Sequence, residues 1–291
     1  MTHKLDWTYP NFGSFYSTRP PIRGTIGSRC RSARRLDLNR VELPFDLVRS
    51  QNDENYRLNK EVGDIIEKDD FKDLYGLPKD NGKCDYILHT DPEIKSKHYL
   101  YWNKEEWRKK YLQSIIDFQE YIGRPPYAVE FHPGKKTRSE GYFEDFIVEA
   151  IRLFDNRFGD ESPILLIENR TNLYVSTTHD MIDFYQEIKD RVSKSKIENF
   201  GYSVDVKQLT SAMGESAIEG IEELPAEMIE NWHIHSGYHG HQPPNDDDSI
   251  DWKRVAGLVK KSNTKLCLPE VHSHDQTKET IKYFEKLIKQ T

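Results

Sequence analysis

The sequence predicts an α/β chain folded as one (β/α)8 TIM barrel, on three observations. Short apolar runs recur, and each ends in a histidine or a carboxylate: His89, His132, Glu168, Asp205, His233 and Glu270 follow one another at intervals of 43, 36, 37, 28 and 37 residues, the size of a strand–helix unit. The stretches between them carry apolar residues at helical spacing. An open doubly wound sheet often has a glycine-rich phosphate loop after its first strand, and no GxGxxG or P-loop motif is present. A length of 291 residues allows two small domains or one barrel, and no linker or shift in composition divides the chain.

Taken in order, residues 1–40 read as an irregular, arginine-rich segment leading into the barrel, with a further strand near "GTIGSRC". The run "LNRVELPFD" carries Glu42 and "CDYILHT" ends at His89. Trp107, Tyr111, Ile115 and Phe118 mark a helix over Trp102 to Tyr121. "YAVEFHPG" ends at His132, and Phe143, Phe146, Ile147, Ala150, Ile151 and Phe154 mark the next helix. "PILLIENR" ends at Glu168 and is apolar on both faces, as a doubly buried parallel strand requires. A helix over Asp180 to Val192 leads to "FGYSVDV" with Asp205, then to "IENWHIHSG" with His233 and His235. A helix over Ile250 to Val259, the run "TKLCLPEVHS" with Glu270, and a helix over Thr277 to Ile288 complete the chain. Asp180 and Asp251 stand where N-caps are expected.

Composition excludes several classes. No apolar run approaches the ~18–20 residues that cross a bilayer, and the first residues lack the apolar region of a secretory signal, so no membrane partner is expected. Three cysteines (Cys30, Cys84, Cys267) with no CxxC make a disulfide framework a poor reading and the reducing cytoplasm the expected compartment. The net charge of −7 argues weakly against bulk nucleic-acid binding. However, the segment from Arg19 to Arg40 holds seven arginines against one acid, Asp37, a local cationic stripe that a solvated loop or intramolecular salt-bridge donors would also explain.

In a barrel the C-terminal strand ends converge on one face, which holds the active site. His89, His132, Glu168, Asp205, His233, His235 and Glu270 would share that bowl. Imidazoles and carboxylates gathered without matching lysine or arginine call for a divalent cation. Mixed nitrogen and oxygen donors suit zinc, manganese or iron better than magnesium. The tract "HIHSGYHGH" also fits a nonspecific metal-sticky loop, but strand alternation puts His233 and His235 on one face. No GxSxG or Cys/His signature supports a nucleophilic alternative.

The ordered set "FHPG", "LLIENRT", "SVDV", "HIHSG" and "PEVHS" resembles the xylose-isomerase-like TIM-barrel superfamily, and within it the endonuclease IV type of apurinic/apyrimidinic endonuclease (AP endonuclease family 2). The likeness runs from about Val41 to the C-terminus. It implies that His89, His132, Glu168, Asp205, His233, His241 and Glu270 are metal ligands, Glu168 bridging, for one to three divalent ions, zinc or manganese. One departure stands out: the family follows its strand-end Asp with a His three residues later, where this chain has Gln208. Either only one or two ions then bind, or a neighbour such as His179 or His239 substitutes.

Three functions follow. The first is a metal-dependent phosphodiesterase cutting DNA at abasic or damaged sites. Glu168 and Glu270 would be catalytic, and His235, Gln208, Arg29, Arg31, Arg34 and Arg35 would contact substrate. Tyr202, Tyr238 and Trp252 would be available to stack on bases, although aromatics are more often core. The second is a metal-dependent sugar isomerase or epimerase holding one ion on Glu168, Asp205, His233 and Glu270. The third is an inactive barrel serving as a binding protein. Oligomeric state stays open.

Overall fold

The computed structural model describes residues 5–10, 26–44, 71, 84–90, 102–238, 241–262, 264 and 266–291. Eight parallel strands close into one barrel: β1 (Asp6–Tyr9), β2 (Arg40–Pro44), β3 (Asp85–Thr90), β4 (Ala128–Phe131), β5 (Ile164–Glu168), β6 (Phe200–Asp205), β7 (Ile229–His233) and β8 (Leu266–Leu268). They pair in chain order, and β8 returns to β1 through the register Asp6 to Leu266 and Trp7 to Cys267. Among the described residues the helices are α1 (Ile26–Arg34), α2 (Glu105–Ile122), α3 (Lys136–Ser139), α4 (Tyr142–Phe158), α5 (Thr178–Arg191), α6 (Lys194–Ile197), α7 (Val206–Met213), α8 (Ala217–Glu223), α9 (Trp252–Lys261) and α10 (His274–Gln290).

The predicted single barrel is therefore what the chain forms, with a correction at its start. Residues 1–40 are not uniformly irregular: they contain strand β1, and "GTIGSRC" runs into helix α1 rather than a strand. Ile26, Cys30 and Ala33 are buried at i, i+4 and i+7, the period of a helix. Strand β1 is only "DWTY" and ends in no ligand-type residue, so it carries neither of the marks that identify the others.

Alternation assigns each strand residue to one of two environments. Val41, Leu43, Tyr86, Leu88, Val129, Phe131, Leu165, Ile167, Tyr202, Val204, Trp232 and Cys267 join the core between strands and helices. Ile87, Ala128, Leu166 and Leu266 form a separate apolar plug inside the barrel. Above that plug the inward positions turn polar, with Glu42, His89, Glu130, Glu168, Ser203, Asp205, Asn231 and His233. Register sets several side by side: His89 beside Glu130, Glu168 beside Ser203, Ser203 beside Asn231, and Asp205 beside His233.

Outer packing fixes the top of β4. Trp102, Trp107, Tyr111, Phe143 and Phe146 pack ring against ring, and Phe146 stands edge-on to Phe131 at 5.1 Å. Each such buried ring contributes on the order of 1.5–3 kcal/mol of apolar burial. Trp102 Nε1 donates to the Pro133 carbonyl at 3.1 Å, which anchors the turn after His132. Gly134 in that turn has φ 72°, and a Cβ there would fall 2.8 Å from Ser139 Oγ, so both conformation and space require glycine.

Two cap assignments differ in outcome. Asp251 caps α9, accepting from Arg254 N at 3.0 Å. Helix α5 is capped instead by Thr177, and Asp180 is its N3 partner in a capping box. Asp180 marks the same terminus three residues in, because the threonine hydroxyl takes the cap itself.

Candidate metal centre

The inward residues at the C-terminal strand ends form two donor clusters that share Glu168. In one, His89, His132 and Glu168 each offer a ligand atom within 4.8 Å of the others; in the second, Glu168, Asp205, His233 and Glu270 do the same. In the first, His132 Nε2 lies 2.6 Å from Glu168 Oε2, and His89 Nε2 lies 2.9 Å from His132 Nε2 and 3.3 Å from Glu168 Oε2. His89 Nδ1 bonds Glu42 behind it. A histidine whose far nitrogen is held by a carboxylate, with the near one turned to a cluster, is the usual arrangement of a metal-ligating imidazole.

In the second cluster His233 Nδ1 stands 3.6 Å from Glu270 Oε2. Asp205 has two tasks: Oδ1 accepts from Gln208 N at 2.8 Å and caps α7, and Oδ2 lies 3.2 Å from His235 Nε2. Asn169 exchanges hydrogen bonds with the Asp205 backbone at 2.9 and 3.0 Å, which locks the top of β5 to the top of β6. Arg170 is the guanidinium at the cluster, 3.6 Å from Glu168 Oε1.

Burial would push these carboxylates up and these imidazoles down, but the mutual charges prevail. Glu168 is held well below the ordinary carboxylate range against its burial, by His132 and Arg170. Glu270 is held well below against its burial, by His235 and His233. Burial opposes charge on His89 and His233 too, yet Glu130 above all keeps both well above the usual imidazole value. Asp205 and Glu270 overcome the burial of His235 and lift it to about 10.

The donor set fits a divalent cation. His233 Nδ1, Glu168 Oε1 and Glu270 Oε2 are buried without a well-aligned hydrogen bond, although charged neighbours stand close. Buried polar atoms are seldom left so. The donors mix imidazole nitrogen with carboxylate oxygen, a set that a divalent cation accepts.

Other expected site residues are placed differently. His241 is in neither cluster; it lies on the rim with its Nδ1 3.5 Å from Glu270 Oε1 and a left-handed backbone, φ 53°. His235 is buried beneath it, the rings stacked at 5.2 Å. Gln208 turns its side-chain oxygen to Thr171 N at 3.2 Å, and its carbonyl accepts from Thr171 Oγ1 at 2.8 Å, so it staples two loops at the edge of the bowl. His179 is exposed beside Asp183 and does not replace the missing imidazole, and His239 lies outside the described residues.

The cationic stripe is also divided. Arg29, Arg31 and Arg34 are on α1 and Arg35 follows it, with Arg31, Arg34 and Arg35 exposed; Arg19 and Arg23 lie outside the described residues. Arg40 does not belong to a surface stripe. It is buried at the opposite end of the barrel, 2.8 Å from Asp6 and over the Tyr127 ring at 3.7 Å. Tyr202 and Trp252 are core residues, not stacking platforms: Tyr202 OH donates to the Met181 carbonyl, and Trp252 packs on Phe284. Tyr238 is 65% exposed.

Glu130 was missed by the sequence reading. It is buried beside His89 and His233, and with Glu42 and His89 it forms a third grouping. Alternation within "AVEFH" puts Glu130 on the same face as His132, which was signal enough to find it.

No protein-family model matches the sequence, and no curated protein matches it. Solved structures match over nearly the whole chain. An AP endonuclease, family 2, from Brucella melitensis is 10% identical, with 97% of this chain and 99% of that one covered and a TM-score of 0.64. A D-tagatose 3-epimerase-like protein is 14% identical, covering 98% and 99%, TM-score 0.58. An IolI protein with a bound zinc atom is 10% identical, covering 98% and 96%, TM-score 0.58. Among the described residues no helix is long and apolar enough to cross a membrane. These likenesses show the fold of the chain, a (β/α)8 barrel.

Proposed function

We propose that this chain is a metal-dependent phosphodiesterase of the endonuclease IV kind that hydrolyses the DNA backbone at abasic or damaged sites. The observation carrying this reading is the pair of donor clusters joined at Glu168. His89 and His132 make the difference, since a single-ion site needs only the Glu168, Asp205, His233 and Glu270 group. Bound divalent ions would supply positive charge to the phosphate and make a water acidic enough to attack it.

The chain's own residues have separable tasks. Glu168, between the clusters, holds both together. Glu270, 16% exposed, is the most open carboxylate of the group and is placed to take a proton from an attacking water. His235 steadies Glu270 and Asp205 from below, at 3.1 and 3.2 Å. His241 and Tyr238 on the rim, with the exposed arginines of and after α1, are the groups available to the nucleic acid.

A second reading, a sugar isomerase or epimerase, is favoured by Gln208, which supplies no imidazole and is engaged with Thr171. It would use one ion on the second cluster, with Glu168 and Glu270 moving protons at carbon. Incubating the zinc- or manganese-loaded chain with a duplex bearing one abasic site separates the two. Strand scission at that site is the expected result. An intact duplex, together with exchange of solvent deuterium into a ketose, would overturn the phosphodiesterase reading.

A further inference from the structure

We infer that Glu130 is a positioning residue that decides which ring nitrogen His233 presents to the centre, an inference that rests on metal binding at the two clusters. Glu130 lies on β4 one layer below His132 and is 1% exposed. Its Oε2 is held from the side: Ser203 Oγ donates to it, Asn231 Nδ2 approaches it at 3.4 Å, and Asn231 Nδ2 also donates to Ser203 Oγ at 3.0 Å. Its Oε1 is thereby directed between two imidazoles, 3.3 Å from His233 Nε2 and 3.5 Å from His89 Nε2.

Neutral imidazole has one N–H and one lone pair, and the group that accepts from one nitrogen assigns the other to a metal. For His233, Nε2 faces Glu130 and Nδ1 faces Glu270 in the four-residue cluster. For His89 the assignment is reversed: Glu42 takes Nδ1, and Nε2 turns to His132 and Glu168. The two histidines flanking Glu168 are thus each backed by a buried carboxylate, and they offer different nitrogens. The Glu42, His89 and Glu130 grouping is on this account a backing layer and not a third ion site. Glu42 is directed at a nitrogen that faces away from the clusters, and Glu130 Oε2 is bound to Ser203.

The test uses the full chain and zinc alone. Histidine 15N spectra of the zinc-loaded protein, with His233 assigned by comparison with His233→Gln, should show its proton on Nε2. Calorimetric zinc titration of Glu130→Gln should show affinity lower by about tenfold or more, with Glu130→Leu lower still. A role limited to stability would lower the melting temperature while leaving the tautomer and the zinc affinity of the folded variant unchanged. A proton on Nδ1 of His233 in the wild-type chain, or a folded Glu130→Gln with wild-type affinity and tautomer, overturns the inference. Should the variants fail to fold, the wild-type tautomer alone decides. A wild-type chain that takes up no zinc removes the metal reading and this inference with it. One that takes up zinc with the His233 proton on Nδ1 removes only this inference.

Discussion

At the floor of the barrel one guanidinium meets two carboxylates; at the top, imidazoles meet carboxylates with Arg170 beside them. Arg40 begins β2, Asp6 begins β1 and Asp85 begins β3, so three adjacent strand starts bring them together. Both aspartates there are 56% exposed, and water shares the work of solvating them. At the other end Glu130, Glu168 and Asp205 are at most 1% exposed, with His132, His233 and His235 among them. The same topology makes both clusters. The floor is balanced by a charge the chain carries permanently, whereas the top is balanced by protons that a divalent cation would replace. Buried ions of this kind cost several kcal/mol each unless compensated, so the arrangement at the top calls for a functional reason and the one at the floor does not.

The comparison breaks most sharply at Glu168. Glu168→Gln removes the carboxylate shared by both clusters, and the loss of several kcal/mol of transition-state stabilisation should lower the rate of abasic-site cleavage by about a thousandfold or more. Zinc titration should show weakened binding at both clusters. Activity near wild type would mean that the centre lies elsewhere.

A smaller effect should appear with pH in the metal-free chain. His235 is raised from 6.5 to about 10, so its contribution to stability is complete below pH 6.5 and is lost as pH rises through 10. Glu168 and Glu270 are lowered from 4.5, so their contribution is complete above pH 4.5 and is lost as pH falls through their folded values. Thermal melts in the presence of a chelator should therefore peak between about pH 4.5 and 6.5 and decline by several degrees toward pH 10. A melting temperature rising steadily from pH 6.5 to 9 would show that the top cluster is not held by protonated imidazoles.

The smallest effect belongs to the floor. Arg40→Met removes ion pairs to two half-exposed aspartates and a cation–π contact with Tyr127, which together are worth about 1–2 kcal/mol. Urea denaturation should register that loss, while zinc affinity and cleavage should stay as they are. A change in either would show that the two ends are coupled.

Much of this was legible in the sequence because a barrel strand carries its information at one end. The runs ending in His89, His132, Glu168, Asp205, His233 and Glu270 point to the topology and to every residue of both clusters together, since buried strands are apolar until they reach the site. Where that mark was missing, the sequence misled. Strand β1 is four residues with no terminal ligand, and α1 shows its helical period only through Ile26, Cys30 and Ala33. Glu130 was overlooked because it stands inside its strand rather than at the tip. Arg40 fits the salt-bridge reading of the stripe, but seven arginines close in sequence give no hint of which one is a strand start pointing to the floor. Tyr202 and Trp252 belong to strand and helix faces whose burial only the packed barrel reveals. Gln208 was legible as a departure, but its partner, Thr171, is 37 residues away and reached only through the pairing of β5 with β6.

The number of metal ions the chain holds tests the two joined clusters most directly. Elemental analysis of protein purified without chelator, run beside His132→Ala, measures it. Two or more zinc or manganese ions per wild-type chain, with one fewer in His132→Ala, is the predicted result. A single ion in both proteins, or none in either, would contradict the two clusters joined at Glu168 and the phosphodiesterase built on them.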